Sequence, residues 1–331
     1  MARRTEKDVR PRRRGERSPM NVLVLLPVDD AQRARLEAAA PGARFSYATT
    51  SDAPADAVER ADVIVGNLPP ERLGEAARLR LLQLNSAGYD NYAAAGTLPE
   101  GAMLASASGA YGQAVSEHML AMLLSLMKRL PAYRDDQRAH RWADEGVVTT
   151  LRGARVLVLG AGDIGTHFAS LCAALGARVA GVRRSSRPAE PPFEAVSPMA
   201  CLPELLPQAD VVASFLPSTP ETRGLADAWF FSAMRRGSYF VNGGRGDLVV
   251  TDDLIAALEA GQIAGAALDV MDPEPLPADH PLWDAPGALV TPHVSGWYHL
   301  PATLDNIVGI ATENLGRLAR GERPRNLVEL G

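Results

Sequence analysis

Cysteine, aromatic residues and long apolar runs are all scarce in this chain of 331 residues, and each scarcity excludes a class of protein. The two cysteines, Cys172 and Cys201, are too few for a disulfide framework, so we expect a reducing compartment. The longest mostly apolar run, at 119–127, is far shorter than the roughly 20 residues that cross a bilayer. The apolar core of a signal peptide is also missing after the basic N-terminal stretch. These features together predict a cytoplasmic protein that makes no membrane contact.

The net charge of -5 conceals an asymmetry between the first 19 residues and the rest. Residues 1–19 hold eight Arg and Lys against three acids, a formal +5, so the remaining body carries -10. Because the basic stretch has almost no apolar content, it is predicted to be a disordered arm. An acidic body is a poor match for nucleic acid, so we expect no nucleic-acid partner.

Short apolar runs, typical of buried strands, alternate along the chain with helical stretches. The strand-like runs fall into two series: 21–27, 61–66 and 79–85, then 155–159, 178–182, 210–215, 238–242 and 265–269. Apolar residues at helical spacing predict one helix at 115–130, and a second helix is predicted at 167–175. This alternation predicts an α/β fold with parallel sheets covered on both faces by helices.

A glycine-rich turn, Gly160-Ala161-Gly162-Asp163-Ile164-Gly165, follows one predicted strand and precedes a predicted helix. This is the context in which a G-x-G-x-x-G sequence binds a dinucleotide. Gly160 permits the tight turn, Gly162 lets the backbone approach the pyrophosphate, and Gly165 allows close packing of the helix. The turn therefore predicts a dinucleotide site.

The segment after the next strand suggests which dinucleotide is bound. NAD sites usually carry Asp or Glu there, about 20 residues after the glycine turn, to bind the ribose hydroxyls. This chain instead has the basic run Arg183, Arg184, Ser185, Ser186 and Arg187, with no acid. Guanidinium groups pair with a 2′-phosphate that a carboxylate would repel. We therefore predict NADP(H) in preference to NAD(H), the alternative being a solvated basic loop.

Three later segments each place a residue suited to carbonyl chemistry just after a predicted strand. Arg245 lies in the glycine turn Asn242-Gly243-Gly244-Arg245-Gly246, Glu274 lies between two prolines, and His293 follows Thr291-Pro292. Strand ends of an open parallel sheet meet at a ligand crevice, so the three residues are expected to share a site. The other five histidines lack metal-ligand spacing with a carboxylate or cysteine, so no metal is expected.

These three segments resemble the D-2-hydroxyacid dehydrogenase family, whose Arg, Glu and His occur in this order. The likeness covers nearly all of 21–331 and includes the motif Val115-Ser116-Glu117-His118 and the stretches 216–222 and 267–277. The resemblance implies two Rossmann-like or flavodoxin-like domains with parallel sheets and a cleft between them. It assigns 21–116 plus 297–331 to the substrate domain and 117–296 to the dinucleotide-binding domain. A homodimer is also expected on this basis.

The resemblance also implies a role for each site residue. His293 protonates the substrate carbonyl oxygen as hydride arrives, and Glu274 pairs with His293, favouring the imidazolium. Arg245 binds the substrate carboxylate, together with backbone N–H groups around Ala87 and Gly88. Further cofactor contacts are implied for Asp163, Ile164, Leu216, Pro217, Thr222, Gly244 and Asp269.

The function expected from these features is reduction of a small 2-oxo acid, such as glyoxylate or hydroxypyruvate, to a D-2-hydroxy acid with NADPH. Two alternatives remain open. One is a dehydrogenase of an inorganic or one-carbon anion. Phosphite is favoured over formate, because formate enzymes of this fold carry Gln where this chain has Glu274. The other is a non-enzymatic protein that senses dinucleotides, like the corepressors of this fold.

Overall fold

The computed structural model describes residues 19–92, 94, 96–184 and 188–328. Residues 1–18 of the predicted arm, and Ser185 and Arg187 of the predicted cofactor loop, lie outside these ranges. The chain divides into two compact units. The first unit comprises the chain up to Leu84, the segment Ala94–Ala105 and the stretch from Glu313 onward. The second unit comprises Asn85–Ala93 and Ser106–Thr312. The domain limits proposed from the sequence stay a prediction.

The first unit is built on a five-stranded sheet. Its strands are β1 (Asn21–Val24), β2 (Arg44–Tyr47), β3 (Val63–Val65), β4 (Leu81–Gln83) and β5 (Met103–Ala105). They lie in the order β2-β1-β3-β4-β5, and their pairings are parallel. Helices α1 (Asp30–Ala39) and α2 (Ala55–Arg60) connect the first three strands. This is the strand order of flavodoxin-like folds.

The second unit contains a seven-stranded parallel sheet with the order β12-β11-β10-β9-β6-β7-β8. Its strands are β6 (Arg155–Leu159), β7 (Arg178–Val182), β8 (Ala195–Ser197), β9 (Val211–Ser214), β10 (Ser238–Asn242), β11 (Ile263–Leu268) and β12 (Ala288–Val290). The order reverses between β6 and β9, as in a Rossmann fold, and ligands bind at the carboxyl ends of the strands beside such a reversal. The predicted α/β fold with two parallel sheets is confirmed.

Seven further helices complete the described chain. They are α3 (Gly112–Met127), α4 (Leu130–Arg138), α5 (Asp163–Ala174), α6 (Leu202–Leu205), α7 (Ala228–Ala233), α8 (Thr251–Glu259) and α9 (Pro301–Ala319). The helix predicted at 115–130 is α3, displaced by three residues at each end. The helix predicted at 167–175 is α5, which begins four residues earlier, at Asp163 within the glycine turn. In the part of the chain that the structure describes, none of the helices has the length and hydrophobicity that crossing a bilayer requires.

Buried side chains cover both faces of the seven-stranded sheet. On β10, Phe240 faces one buried cluster and Val241 faces the other. Phe240 packs edge-to-face against Phe230 and Phe231 of α7, with ring centroids 6.1 and 5.4 Å apart. Phe168 of α5 fills the opposite face and is fully buried. Because neighbouring strand residues point to opposite faces, a sheet buried on both sides requires the continuous apolar runs seen in the sequence.

Both cysteines are free. Cys172 lies buried in α5, and burial raises the pKa of its thiol to about 12. This thiol is therefore protonated at neutral pH and takes the place of a small apolar side chain in the core.

Candidate active site

The glycine turn between β6 and α5 is shaped by close backbone contacts. Gly160 has a φ of +93°, and a Cβ there would come within 2.9 Å of the Phe215 carbonyl oxygen. A Cβ on Gly165 would come within 2.1 Å of the Gly160 oxygen. A Cβ on Gly162, by contrast, would meet no atom within 4 Å, and no side chain caps the helix that starts at Asp163. The open space and the uncapped N–H groups of Asp163 and Ile164 fit a pyrophosphate.

Two other predicted cofactor segments lie beside this turn. The loop after β9 begins at Leu216, and a Cβ on Gly244 would lie 2.6 Å from the Leu216 oxygen. Thr222 shapes the same loop, because its hydroxyl donates to the Pro217 oxygen at 2.7 Å. The structure therefore brings the loops after β6, β9 and β10 together at the carboxyl ends of adjacent strands.

The basic segment follows β7. The Arg183 backbone N–H donates to the Ser197 oxygen at 3.1 Å, and its guanidinium donates to the Pro188 oxygen at 3.2 Å. Arg184 is exposed. The pKa of the Glu221 carboxyl is lowered, chiefly by a hydrogen bond from Thr219 and by one from its own backbone, and to a smaller extent by the charge of Arg184.

His293 and Glu274 form a direct pair. The distance from His293 Nδ1 to Glu274 Oε2 is 2.7 Å, and the other Glu274 oxygen accepts the Met271 N–H at 3.0 Å. About half of the His293 side chain is exposed. The carboxylate is thus fixed on the backbone of its own loop and orients the imidazole, leaving Nε2 as the ring nitrogen free of this pairing.

The backbone of His293 is left-handed, with a φ of +52°. Asp269, only 1% exposed, holds the adjoining segment with both carboxylate oxygens. One oxygen accepts the Thr291 hydroxyl at 2.6 Å and the Val294 N–H at 3.0 Å, and the other accepts the Ser295 N–H at 3.1 Å. The cofactor contact of Asp269 stays a prediction, whereas the structure shows that its carboxylate sets the conformation around His293.

Arg245 lies in a turn braced by Asn242. The buried Asn242 side chain donates to the Arg245 oxygen at 2.9 Å and accepts the Gly244 N–H at 3.2 Å. The Arg245 guanidinium donates through Nη1 to the Gly244 oxygen at 2.9 Å. Its Nε and Nη2 both donate to one oxygen of Asp90, each at 3.0 Å.

The predicted carboxylate-binding segment at Ala87 and Gly88 reaches the same guanidinium. A Cβ on Gly88 would lie 1.7 Å from Arg245 Nη2, so only glycine allows this approach. The Ser86 hydroxyl donates to the Gly88 oxygen at 2.6 Å and shapes the segment. The structure therefore places Gly88, Asp90 and Arg245 together.

Comparison with known proteins relates this geometry to a family. Residues 120–295 match the family described as D-isomer specific 2-hydroxyacid dehydrogenase, NAD binding domain. The chain belongs to this family. Glyoxylate/hydroxypyruvate reductase A of Serratia proteamaculans is 30% identical to it over 322 residues, which are 94% of this chain and 99% of that protein. The chain is an NAD(P)-dependent 2-hydroxyacid dehydrogenase that acts on CH–OH donors, and its cofactor is a nicotinamide dinucleotide.

Solved structures agree with this membership. A D-isomer specific 2-hydroxyacid dehydrogenase family protein from Aeromonas salmonicida is 32% identical, with a TM-score of 0.84 over 95% of this chain and 100% of that chain. A D-isomer specific 2-hydroxyacid dehydrogenase from Xanthobacter autotrophicus, in complex with NADPH and MES, is 30% identical. Its TM-score is 0.77 over 94% of this chain and 98% of that chain.

Asp90 and Asn242 contact Arg245, and His118 lies close to Asp269, although the sequence assigned a site role to none of the three. His118 Nε2 lies 3.0 Å from the Thr291 hydroxyl, which in turn donates to Asp269. The one available sequence signal for Asp90 was its place two residues after Gly88. Among the described residues, no group of three or more His, Cys, Asp or Glu side chains is arranged to hold a metal ion.

Gly162→Ala tests whether the open space at the glycine turn receives the cofactor. Because the added methyl would meet no protein atom within 4 Å, we expect an unchanged melting temperature. The methyl would instead obstruct the approach of the pyrophosphate, raising the KM for the dinucleotide about tenfold. Thermal melting and steady-state kinetics measure the two effects. The matched control is Gly74→Ala, which also has no atom within 4 Å and lies in the other unit. Equal cofactor KM values for the two variants would refute the assignment.

Proposed function

We propose that this dehydrogenase reduces a small 2-oxo acid, of the glyoxylate or hydroxypyruvate type, to a D-2-hydroxy acid with NADPH. The observation that carries the proposal is the 2.7 Å pairing of His293 with Glu274. This pairing orients His293 as a proton donor for a carbonyl oxygen. His293 lies in the same compact unit as Arg245 and the glycine turn. The similarity to the Serratia glyoxylate/hydroxypyruvate reductase supports the substrate class.

His293 is the proton donor in this proposal. Its Nδ1 faces the Glu274 carboxylate, so Nε2 is the nitrogen that hands a proton to the carbonyl oxygen. The Glu274 carboxylate holds the ring in place through Nδ1. The reduced nicotinamide, when bound, supplies the hydride to the carbonyl carbon. His293 then returns to neutral imidazole, and a proton from solvent restores it.

Arg245 binds the substrate carboxylate in this proposal. A guanidinium has five N–H donors, and the contacts with Asp90 and the Gly244 oxygen engage three of them. One N–H on Nη1 and one on Nη2 are left for the two oxygens of a carboxylate. We assign the backbone N–H groups of Ala87 and Gly88 to the same carboxylate. Two-point binding of this kind fixes the orientation of the keto group relative to His293.

The preference for NADPH rests on the basic segment after β7. Arg183 and Arg184 stand where NAD enzymes carry an acid, and the Xanthobacter relative is described in complex with NADPH. We assign Ser185 and Arg187 to the same cofactor site as further proposed contacts.

The deciding experiment measures oxidation of NADPH and of NADH by the purified protein with a panel of 2-oxo acids. Glyoxylate, hydroxypyruvate, pyruvate and phosphite test the substrate class, phosphite being assayed in the direction of NADP reduction. We expect turnover of glyoxylate or hydroxypyruvate, with a higher kcat/KM for NADPH than for NADH. Turnover of phosphite alone, or dinucleotide binding without any turnover, would contradict the proposal.

The double substitution Arg183→Ala with Arg184→Ala tests the cofactor preference. We expect the KM for NADPH to rise about tenfold, because charge-assisted pairing with the 2′-phosphate is lost, while the KM for NADH stays within about twofold. The matched control is Arg178→Ala, an exposed arginine at the opposite end of β7 that pairs with Glu194 at 2.9 Å. An equal change for both cofactors would count against a role in choosing NADPH.

Domain roles, assembly and location belong to the same proposal. We assign the substrate to 21–116 plus 297–331 and the dinucleotide to 117–296, with a homodimer as the expected assembly in the cytoplasm. Light scattering coupled to size-exclusion chromatography measures the assembly, and a mass of one chain would contradict it.

A further inference from the structure

Asp90 binds part of the Arg245 guanidinium, which is the group assigned to the substrate carboxylate. Both Nε and Nη2 of Arg245 donate to the same Asp90 oxygen, each at 3.0 Å. The Asp90 and Arg245 side chains are 41% and 30% exposed, so solvent and ligands reach the pair. The chain therefore supplies its own carboxylate to the guanidinium beside the proposed substrate-binding segment.

The position of Asp90 leaves one edge of the guanidinium available. Asp90 takes the edge formed by Nε and Nη2, and the Gly244 oxygen takes one N–H of Nη1. One N–H of Nη1 and one of Nη2 take part in none of these three contacts, and these two donors are the ones we assign to a carboxylate. The Gly88 backbone is packed against Nη2, so the guanidinium is restrained from a second side.

Charge is the second consequence of this arrangement. Three carboxylates, those of Asp90, Glu274 and Asp269, belong to the described site, and the basic side chains among them are Arg245 and His293. Arg245 is already paired with Asp90, and His293 is already paired with Glu274. A substrate with one carboxylate binds the two N–H groups of Arg245 that Asp90 and Gly244 do not engage. A second carboxylate would find no unpaired basic group among these residues and would be repelled by the negative charge of the carboxylates.

We propose that Asp90 is a positioning and specificity residue, which fixes the fork of Arg245 and makes the site select 2-oxo acids with a single negative charge. The inference rests on the proposed function in that Arg245 is taken as the carboxylate-binding group. It adds a reason for the choice among 2-oxo acids, because the negative charge of Asp90 disfavours a second carboxylate on the substrate.

Oxamate and oxalate form a matched pair of probes, since they have nearly the same shape but carry one and two negative charges. Calorimetric titration of the NADPH-saturated protein measures the binding of each without any turnover. We expect the wild type to bind oxamate more tightly than oxalate. In Asp90→Asn, whose amide oxygen can still accept from Nε and Nη2, the ratio of the two affinities is expected to shift about tenfold toward oxalate.

Asp90→Ala separates orientation from charge. Without any acceptor at residue 90, Arg245 loses its restraint, so we expect the KM for glyoxylate to rise about tenfold while kcat changes less than about threefold. Asp90→Asn, which keeps an acceptor, is expected to restore most of this loss. The matched control is Asp135→Asn, an exposed aspartate of α4, which is expected to match the wild type in every measurement.

Each outcome bears on the inference. An oxamate-to-oxalate ratio that is the same in the wild type and Asp90→Asn overturns it, and so does the failure of both anions to bind. Glyoxylate turnover with an unchanged ratio leaves the proposed function standing and removes only the role of Asp90. A shifted ratio in a protein that reduces no 2-oxo acid supports Asp90 and removes the proposed function.

Discussion

His293→Asn is expected to lower kcat for 2-oxo acid reduction by about 10²–10⁴-fold, which is the usual contribution of a positioned general acid. Asparagine is the appropriate replacement because the backbone at this residue is left-handed, with a φ of +52°, and asparagine tolerates that conformation. The variant should therefore fold normally and bind the dinucleotide as the wild type does. Stopped-flow measurement of NADPH oxidation, with calorimetric titration of NADPH, separates chemistry from binding.

His140 offers a matched control for this variant. It is also a histidine with a left-handed backbone, at a φ of +53°, but it follows α4 and makes none of the site contacts. His140→Asn thus carries the same chemical change at nearly the same φ, and we expect wild-type kinetics. If His293→Asn kept turnover within a few-fold of His140→Asn, the proton-donor role would be refuted.

Gly88→Ala is expected to lower kcat/KM for the 2-oxo acid by about 10²-fold, the scale of loss that follows a misplacement of about 1 Å in a binding group. The added Cβ would lie 1.7 Å from Nη2 and 2.9 Å from Cζ of Arg245. Because the contact is with the end of a flexible side chain, the guanidinium shifts and the fold is retained. The loss should appear with the 2-oxo acid and not in dinucleotide affinity.

The same Gly74→Ala variant controls for the added methyl group, since nothing lies within 4 Å of its Cβ. Melting curves of Gly88→Ala and Gly74→Ala should coincide with that of the wild type. A Gly88→Ala enzyme with unchanged kcat/KM would mean that the guanidinium position seen here is not the one that binds substrate. A lowered melting temperature would show that Gly88 matters for folding instead.

The central strands of both sheets could be predicted from the sequence because they are buried on both faces. Strand β6 is apolar after its first residue and β10 is apolar at its three central residues, which the sequence displays as continuous runs. The missed strands, β2, β5 and β8, all lie at sheet edges. β2 alternates exposed and half-buried residues, and β8 has no fully buried residue, so neither produces an apolar run.

The candidate site could be predicted only in part, and the physical reason lies in sequence separation. Arg245, Glu274 and His293 each follow a strand within a distinctive local segment, so local sequence suffices to select them. Asp90 is 155 residues from its partner Arg245, and only the fold brings them together. Asn242 has a local signal, as a polar residue at the end of a buried strand, but its bracing contacts depend on a turn that sequence alone does not define.

The division of the chain into two units has a consequence for building hybrid enzymes. The stretch Asn85–Ala93 follows β4 directly, yet it belongs to the unit that holds Arg245 and His293. A hybrid that exchanges all of the chain before Ser106 with a relative would import a foreign loop against the native guanidinium. Junctions placed after Leu84 and before Ala94 would instead keep Gly88 and Asp90 with the arginine they contact.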